Sequence, residues 1–547
     1  MRRALRGGAG CGFLPPAMTT SYADAARERK GTPRDRIACF DPATLEPLGH
    51  VAVCPPAEVA ARIDRARLAQ RRWADTSFAT RRRVLGRILD HVLESADELC
   101  RVVVRDAGKT RENAMLGEIW PVCEKLRWTM AHGERHLARE RMNAGLFAHK
   151  KAFVEYQPKG VVGVITPWNY PLQNILGPAI PALFAGNAVI VKVSEWTAWS
   201  SERFQRIFDE AFAAEGLPSD LVQVINGYGD TGEALVRGGV DLIIFTGSVP
   251  NGRRVLEASA ETITPCILEL GGKDAFIVCD DADLEQAAHA AMAGAFIAAG
   301  QNCLAAERML VMDGIYDRFE RRVVEMVRGL RQGVPSGEEP VDVGAMVTPA
   351  QLDIVEKLVD DAVAKGARVL VGGKRRGEGQ FFAPTVLAGV TPEMSIMTEE
   401  TFGPVMVLVR VRDDAEAIEI ANGTQFGLGA TILTKSTRRA RRIQRALVTG
   451  GVSVNDFGLT YMAQALPFGG AKASGFGRLN GREGLRACTN AQSVLVDRFP
   501  FHAPAKLYPV SPKSYDVARG VIRTIYGRRP LAKVTGVLDL ARTLLGR

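Results

Sequence analysis

The stretch GVVGVITPWNYPLQNILGPAIPALFAGNAVIVKVSE, residues 160–195, decides the architecture. Residues 161–166 form a short β-branched apolar run, residues 173–185 an apolar segment of helical length, and residues 188–193 a second β-branched run. Strand, helix and strand in that order predict a parallel pair joined by a crossover helix. The alternation continues with a helix over 200–215, a strand over 221–225, a helix over 233–237 and a strand over 241–245. That texture predicts a doubly wound parallel sheet, with ligands held at the carboxyl ends of its strands.

A second alternating region follows Leu270. Its strands are expected over 276–279, 308–311, 368–371, 405–411 and 430–433, with long helices over 316–329 and 349–365. Upstream, apolar residues recur at three- and four-residue steps over 56–73, 80–107 and 112–139, which predicts helices. Residues 152–156 alternate as a short strand. The fold class is therefore α/β with two α/β units, and pieces near residues 150 and 495 belong to neither.

A chain of 547 residues with 46% hydrophobic and 24% charged side chains is long enough for several domains with large cores. Nine cysteines at irregular spacings, without a C-x-x-C pair or a Cys/His cluster, disfavour a disulfide framework or a metal site and fit a reducing compartment. The net charge of +9 sits at the ends. Residues 1–36 carry eight Lys and Arg against three acids, residues 499–547 carry nine against two, and the body between them stands at −3. A nucleic-acid-binding core is thus disfavoured. Residues 1–17 contain Arg2, Arg3 and Arg6 but no apolar core of a secretory signal, so a disordered leader is expected. An organellar transit segment, or initiation at Met18, are the alternatives.

Several segments carry chemistry. Gly300-Gln301-Asn302-Cys303 sets a thiol at a backbone corner, where amides can stabilise a thiolate and an oxyanion. By itself Cys303 reads as a buried structural thiol, and only its company elsewhere in the chain reverses that reading. Thr166-Pro167-Trp168-Asn169-Tyr170-Pro171 brackets Asn169 between prolines, aiming an amide as an oxyanion donor. Leu268-Glu269-Leu270-Gly271-Gly272-Lys273 places Glu269 in an apolar strand, where burial raises its pKa toward that of a general base. Pairing of Glu269 with Lys273 or with an arginine is the competing reading.

Gly227-Tyr228-Gly229-Asp230-Thr231-Gly232 matches G-x-G-x-x-G, but no carboxylate ends the following strand. Glu195, with Lys192 and Ser194 after the strand over 188–193, is the better ribose contact, and a carboxylate there repels a 2′-phosphate. Phe245-Thr246-Gly247-Ser248 ends a strand ahead of a helix beginning near Gly252, an arrangement suited to phosphate. Glu399-Glu400-Thr401-Phe402-Gly403-Pro404 aims a carboxylate and an aromatic ring ahead of a Gly-Pro stop.

Taken together, PWNYP, KVSE, FTGS, ELGGK, GQNC, EETFGPV and PFGGAKASGFGR, in that order over residues 36–498, resemble the aldehyde dehydrogenase superfamily. The resemblance implies that Cys303 is the nucleophile, Glu269 the general base and Asn169 the oxyanion donor. For NAD, with NADP less favoured, it implies contacts from Thr166, Pro167, Trp168, Lys192, Ser194, Glu195, Gly227, Gly229, Phe245, Gly247, Ser248, Gly252, Leu270, Glu400 and Phe402. It implies no metal. It implies an aldehyde dehydrogenase-like fold with a Rossmann-like NAD-binding domain (residues 36–141 and 160–268) and a catalytic domain (269–483). Residues 142–159 and 484–498 would form an oligomerisation element, and residues 1–35 a disordered leader. Val193 and Val249-Pro250-Asn251 depart from the family pattern near the adenine pocket.

The implied reaction is NAD-dependent oxidation of an aldehyde to a carboxylic acid through a cysteine thioester. A CoA-acylating enzyme is the alternative, and an inactive scaffold or membrane-associated relative is another. By family position the tunnel is lined by Tyr170, Gln173, Gly177, Asn302, Tyr461, Met462 and Phe468, mostly apolar and without an arginine clamp. The implied assembly is a homodimer or homotetramer, in the cytoplasm. Residues 499–547 form a basic amphipathic extension like one in plant and fungal members, suited to subunit packing or to peripheral membrane contact.

Overall fold

In the computed structural model, residues 22–335, 339–500 and 508–545 are described. The first sheet has the order Gly475–Phe476, Cys266–Leu270, Leu242–Gly247, Val161–Ile165, Ala188–Lys192 and Val222–Ile225. Its five longer strands are parallel, and the two-residue strand at the edge is antiparallel. Helices cover both faces, so Ala188–Lys192 is buried at every position and reads as an apolar run up to its last residue, Lys192. Val161–Ile165 comes first in the chain. The next two strands, Ala188–Lys192 and Val222–Ile225, lie on one side of it, and Leu242–Gly247 and Cys266–Leu270 on the other. The strand order therefore reverses beside Thr166, and a crevice opens past the carboxyl ends there.

The second sheet has the order Arg368–Val371, Thr385–Ala388, Val405–Val411, Ala306–Met312, Asp274–Val278, Gly429–Leu433 and Gly451–Val454. Only Arg368–Val371 runs antiparallel to its neighbour. Both sheets lie in one compact unit, made of residues up to 139 together with 155–492.

Three expectations change. The helix expected over 80–107 is two helices, Phe78–Glu94 and Ala96–Ala107, broken at Ser95, a residue that favours helix ends over interiors. The helix expected over 112–139 contains a π-helical turn, Met115–Ile119, ahead of Trp120–Leu137. Pro121 explains it: proline has no N–H for the carbonyl four residues back, and its ring crowds that carbonyl. In the stretch expected as a disordered leader, Tyr22–Gly31 is helical, while residues 1–21 lie outside the described residues. Ala25 packs with Ala38 and Phe40, and the Arg29 guanidinium stacks on the rings of Phe40 and Trp196.

The second unit comprises residues 140–154 and those from 493 onward. Glu140–Met142 pairs antiparallel with residues 152–154, and Lys150 forms an ion pair with Asp497. Lys150–Pro158 is the middle strand of a three-stranded sheet, between Glu140–Met142 and Thr489–Asp497. In the extension, helices Ser514–Tyr526 and Pro530–Leu545 form a hairpin. They close on each other where Gly520 meets Leu540 and Gly536 meets Thr524, with Arg523 paired to Asp539 at 3.1 Å. Tyr515, Ile522, Tyr526, Leu531 and Val534 remain exposed on it. Among the described residues no helix is long and apolar enough to cross a membrane.

Candidate active site

The helix Leu284–Phe296 runs into a corner in which Ala298, Ala299 and Gly300 all take positive φ, at 51°, 55° and 73°. Left-handed backbone costs each alanine about 1–2 kcal/mol, so something must hold the corner. Gln301 does so. Its buried amide donates to Ala298 O at 3.0 Å and accepts from Val347 N–H at 2.8 Å, while Asn113 Oδ1 accepts from Ala298 N–H at 2.8 Å. At residue 300 a Cβ would overlap the Gly403 carbonyl oxygen, so only glycine fits there. The corner delivers Cys303 just ahead of the strand Ala306–Met312, at the amino edge of the second sheet rather than at a carboxyl end.

Cys303, Glu269 and Asn169 line one cavity. Glu269 is 3% exposed in its strand, and burial pushes its carboxyl up to about 7. It is near enough to the Cys303 thiol for each group to shift the other's protonation, and its Oε1 is buried without a hydrogen-bond partner. Burial, and then the neighbouring Glu269 carboxylate, hold the Cys303 thiol well above its ordinary value. Asn302 Oδ1 accepts from Leu304 N–H at 3.1 Å and lies 3.8 Å from the sulfur. Asn169 Nδ2 donates to Gln301 O at 3.1 Å, and Asn174 Nδ2 donates to Asn169 Oδ1 at 3.2 Å. Asn174 therefore fixes which end of the Asn169 amide faces the corner. Sequence reasoning passed over Asn174. Its position five residues after Asn169, on the first turn of helix Pro171–Phe184, was the available signal.

Lys273 does not pair with Glu269. Its ammonium is fully buried, 2.5 Å from Glu307 and 2.9 Å from Thr401 Oγ1. Glu307 also accepts from the backbone N–H groups of Thr401 and Phe402, at 2.8 and 2.9 Å. Phe402 has φ 48° and packs edge-on against Trp168, ring centroids 5.4 Å apart. Glu400 accepts from Gly272 N–H at 2.9 Å and lies where a Cβ on Gly271 would sit. Burial pushes its carboxyl up to about 8. Lys273 closes the ELGGK motif and Glu307 follows Cys303 by four residues, but a sequence does not say that the two are partners.

At the strand reversal lies a cleft of about 580 Å³. Thr166, Pro167, Trp168, Lys192, Ser194, Glu195, Gly229, Phe245, Gly247 and Ser248 line it, with Asn251 from the segment that departs from the family pattern, and with Trp196 and Arg254, which sequence reasoning had not singled out. Lys192 Nζ lies 3.7 Å from Glu195, and Ser248 precedes the helix Val249–Ala260, whose start has no side-chain cap. Open amides at a helix start suit an anion. Gly227 packs instead on Thr231, and Gly252 on Leu270, and none of these three sequence candidates (Gly227, Gly252, Leu270) lines the cleft. A crevice with a carboxylate beside one strand end and open amides beside another fits a dinucleotide. Among the described residues no cluster of three or more His, Cys, Asp or Glu suits a metal.

The cavity of about 250 Å³ holding Cys303 is also lined by Tyr170, Gln173, Gly177, Asn302, Tyr461, Met462 and Phe468. Gln173 donates to the Tyr461 hydroxyl, and Tyr461 stands edge-on to Phe468 at 4.8 Å. Leu116, Trp120, Phe457 and Leu459 add apolar wall, and Lys125 adds a cation. The π-helical turn and helix Trp120–Leu137 supply three of these. A lysine on the apolar face of that helix was the signal in the sequence.

The profile of the aldehyde dehydrogenase family matches residues 29–494. An aldehyde dehydrogenase-like protein of Schizosaccharomyces pombe is 40% identical over 504 residues, covering 90% of this chain and 96% of its own. A crystal structure of an NADP-dependent enzyme of E. coli superposes with a TM-score of 0.80 at 34% identity, over 84% of this chain and 95% of its own. An NAD⁺ complex of an aldehyde dehydrogenase from Bacillus cereus does so with a TM-score of 0.80 at 31% identity, over 85% and 94%.

Proposed function

The chain belongs to the aldehyde dehydrogenase family, and from that premise we propose that it oxidises an aldehyde to the carboxylic acid through Cys303, with NAD as acceptor. The observation that carries this reading is one cavity lined by Cys303, Glu269 and Asn169, together with a cleft suited to a dinucleotide at the strand reversal.

Glu269, protonatable near neutrality, takes the thiol proton. The sulfur then bonds to the carbonyl carbon, and the carbonyl electron pair moves onto oxygen. That oxyanion receives hydrogen bonds from Asn169 Nδ2 and from the Cys303 backbone N–H. Bound in the cleft, a nicotinamide dinucleotide supplies the acceptor for the hydride that leaves the former carbonyl carbon. Collapse of the oxyanion leaves a thioester on Cys303. Glu269, having passed its proton to solvent, deprotonates a water. The water adds to the thioester carbonyl, the carbon–sulfur bond breaks, and the acid departs.

For the cofactor, Lys192, Glu195, Gly247 and Ser248 are the contacts that support the reading. Glu195 meets a ribose diol and repels a 2′-phosphate, which favours NAD over NADP. Glu400 and Phe402 would hold the nicotinamide end, positioned by the Lys273–Glu307 pair. The three-stranded sheet and the helical hairpin are the candidate subunit contacts, in a dimer or tetramer. Deleting residues 503–547 is expected to lower the subunit count measured by light scattering. A shift in binding to anionic vesicles without a change in subunit count would point to membrane contact instead.

Rapid mixing with aldehyde and NAD⁺ tests the main reading. A burst of NADH, lost in Cys303→Ala, with free acid as the product, is expected. An acyl-CoA product in the presence of CoA would make the enzyme acylating, and the absence of any NADH with a broad aldehyde panel would refute oxidation.

A further inference from the structure

Four lysines are buried among the described residues: Lys109, Lys125, Lys192 and Lys273. Three of them face a carboxylate, Lys109 with Glu118 at 3.2 Å, Lys192 with Glu195 at 3.7 Å and Lys273 with Glu307 at 2.5 Å. Lys125 has none among the described residues. It sits on the buried face of helix Trp120–Leu137 beside Val122, Leu126 and Thr129, is 5% exposed, and lines the Cys303 cavity. An ammonium carries three donors. Asn480 Oδ1, at 2.6 Å, takes one of them, and the Tyr461 ring lies 5.9 Å away. Gly177 keeps the approach open, since even a Cβ there would come within 3.9 Å of Lys125 Nζ. A buried cation without a counter-charge is costly, and burial pushes this amine down to about 7. Its wall of the cavity is thus complementary to an anion that none of the described residues supplies.

We propose that Lys125 binds a carboxylate at the far end of the substrate, so that the preferred aldehydes are ω-oxo carboxylic acids and Lys125 is a specificity residue. The proposal rests on the reading of this cavity as the aldehyde tunnel. It adds a lysine to a tunnel expected to be mostly apolar and without an arginine clamp. The aldehyde end reaches Cys303 while the carboxylate takes the free donors of the ammonium.

The groups facing Lys125 do not compete. The Tyr461 phenol and the Cys488 thiol are held neutral, burial raising both, the thiol up to about 12. Helix Phe78–Glu94 sends Arg82 toward Met130 and Glu134, and helix Gly481–Ala487 sends Arg486 to His136 O, both further along the helix that bears Lys125. Glu118, in the adjoining π-helical turn, is tied to Lys109. Only the protonated amine pairs with an anion. Relative to an uncharged aldehyde, KM for the oxo acid should therefore rise about tenfold from about pH 7 to about pH 8.5.

The test uses full-length enzyme with saturating NAD⁺ and compares a series of ω-oxo acids, their methyl esters and the matching alkanals. The readout is the ratio of kcat/KM within each protein, which cancels any general loss of activity. Wild type should prefer the acid over the ester at least about tenfold, through KM. Lys125→Met should remove that preference. Lys125→Arg should keep it and lose its pH dependence, because a guanidinium does not titrate in this range. Equal ratios in wild type and Lys125→Met, or equal use of acid and ester by wild type, would overturn the proposal. If Lys125→Met does not fold, the pH profile of Lys125→Arg against wild type decides. Failure to oxidise any aldehyde would instead refute the function proposed above.

Discussion

The Lys273 ammonium and the Glu307 carboxylate meet at 2.5 Å with both side chains buried, and Glu307 accepts from the backbone of Thr401 and Phe402 as well. One ion pair thus joins the glycine pair after Glu269, the strand after Cys303, and the loop carrying Glu400 and Phe402. Its consequence is positional, since it holds three separated segments in one register around the thiol.

Removing one partner strands a buried charge, so Lys273→Met or Glu307→Gln should lower unfolding free energy by about 3–5 kcal/mol. The double variant Lys273→Met/Glu307→Leu should recover a large part of that loss in urea titrations. Additive losses would show that the two side chains act independently.

Glu269 is raised from the ordinary carboxylate range to about 7, so the folded state holds its proton where the unfolded chain has lost it. Stability contributed by this group therefore falls as pH rises from about 4.5 through about 7. Glu269→Gln should show a higher Tm than wild type at pH 8 and little difference at pH values below the unfolded pKa. Its steady-state turnover should drop about 10²–10⁴-fold and lose the inflection near pH 7. An inflection that persists in Glu269→Gln would assign it to another group.

At residue 300 both the φ of 73° and the Gly403 carbonyl forbid a side chain. Gly300→Ala should destabilise by at least about 2 kcal/mol and shift Cys303 relative to Asn169. The checks are chemical denaturation and the rate of thiol alkylation. Wild-type stability and an unchanged alkylation rate would mean that the corner relaxes freely.

Glu195 lines the cleft 3.7 Å from Lys192, with Arg254 also on its wall. Glu195→Ser should raise kcat/KM for NADP about 10–100-fold and lower that for NAD, because the two cations then meet the 2′-phosphate without a competing carboxylate. An unchanged cofactor ratio would remove Glu195 from the selection.

The sequence by itself determined much of the scaffold. Alternating β-branched runs and helices between residues 160 and 245 state a parallel sheet, because strands buried on both faces must be apolar throughout and helices must cover them. Rigid or apolar neighbours singled out Cys303, Glu269 and Asn169 (a Gly-Gln-Asn corner, an apolar strand, two prolines), the roles proposed for them came from the family resemblance, and that they line one cavity is a fact of the tertiary structure. The π-helical turn and the break at Ser95 were harder to read, since both depend on a single residue interrupting an otherwise regular period. Tertiary structure alone decided the pairing of Lys273 with Glu307 rather than Glu269, the orientation of Asn169 by Asn174, and the absence of a counter-charge at Lys125 among the described residues. Local sequence encodes which side chains face inward, through periodicity. It does not encode which charges meet there, because partners far apart in the chain become neighbours only when the sheets close around them.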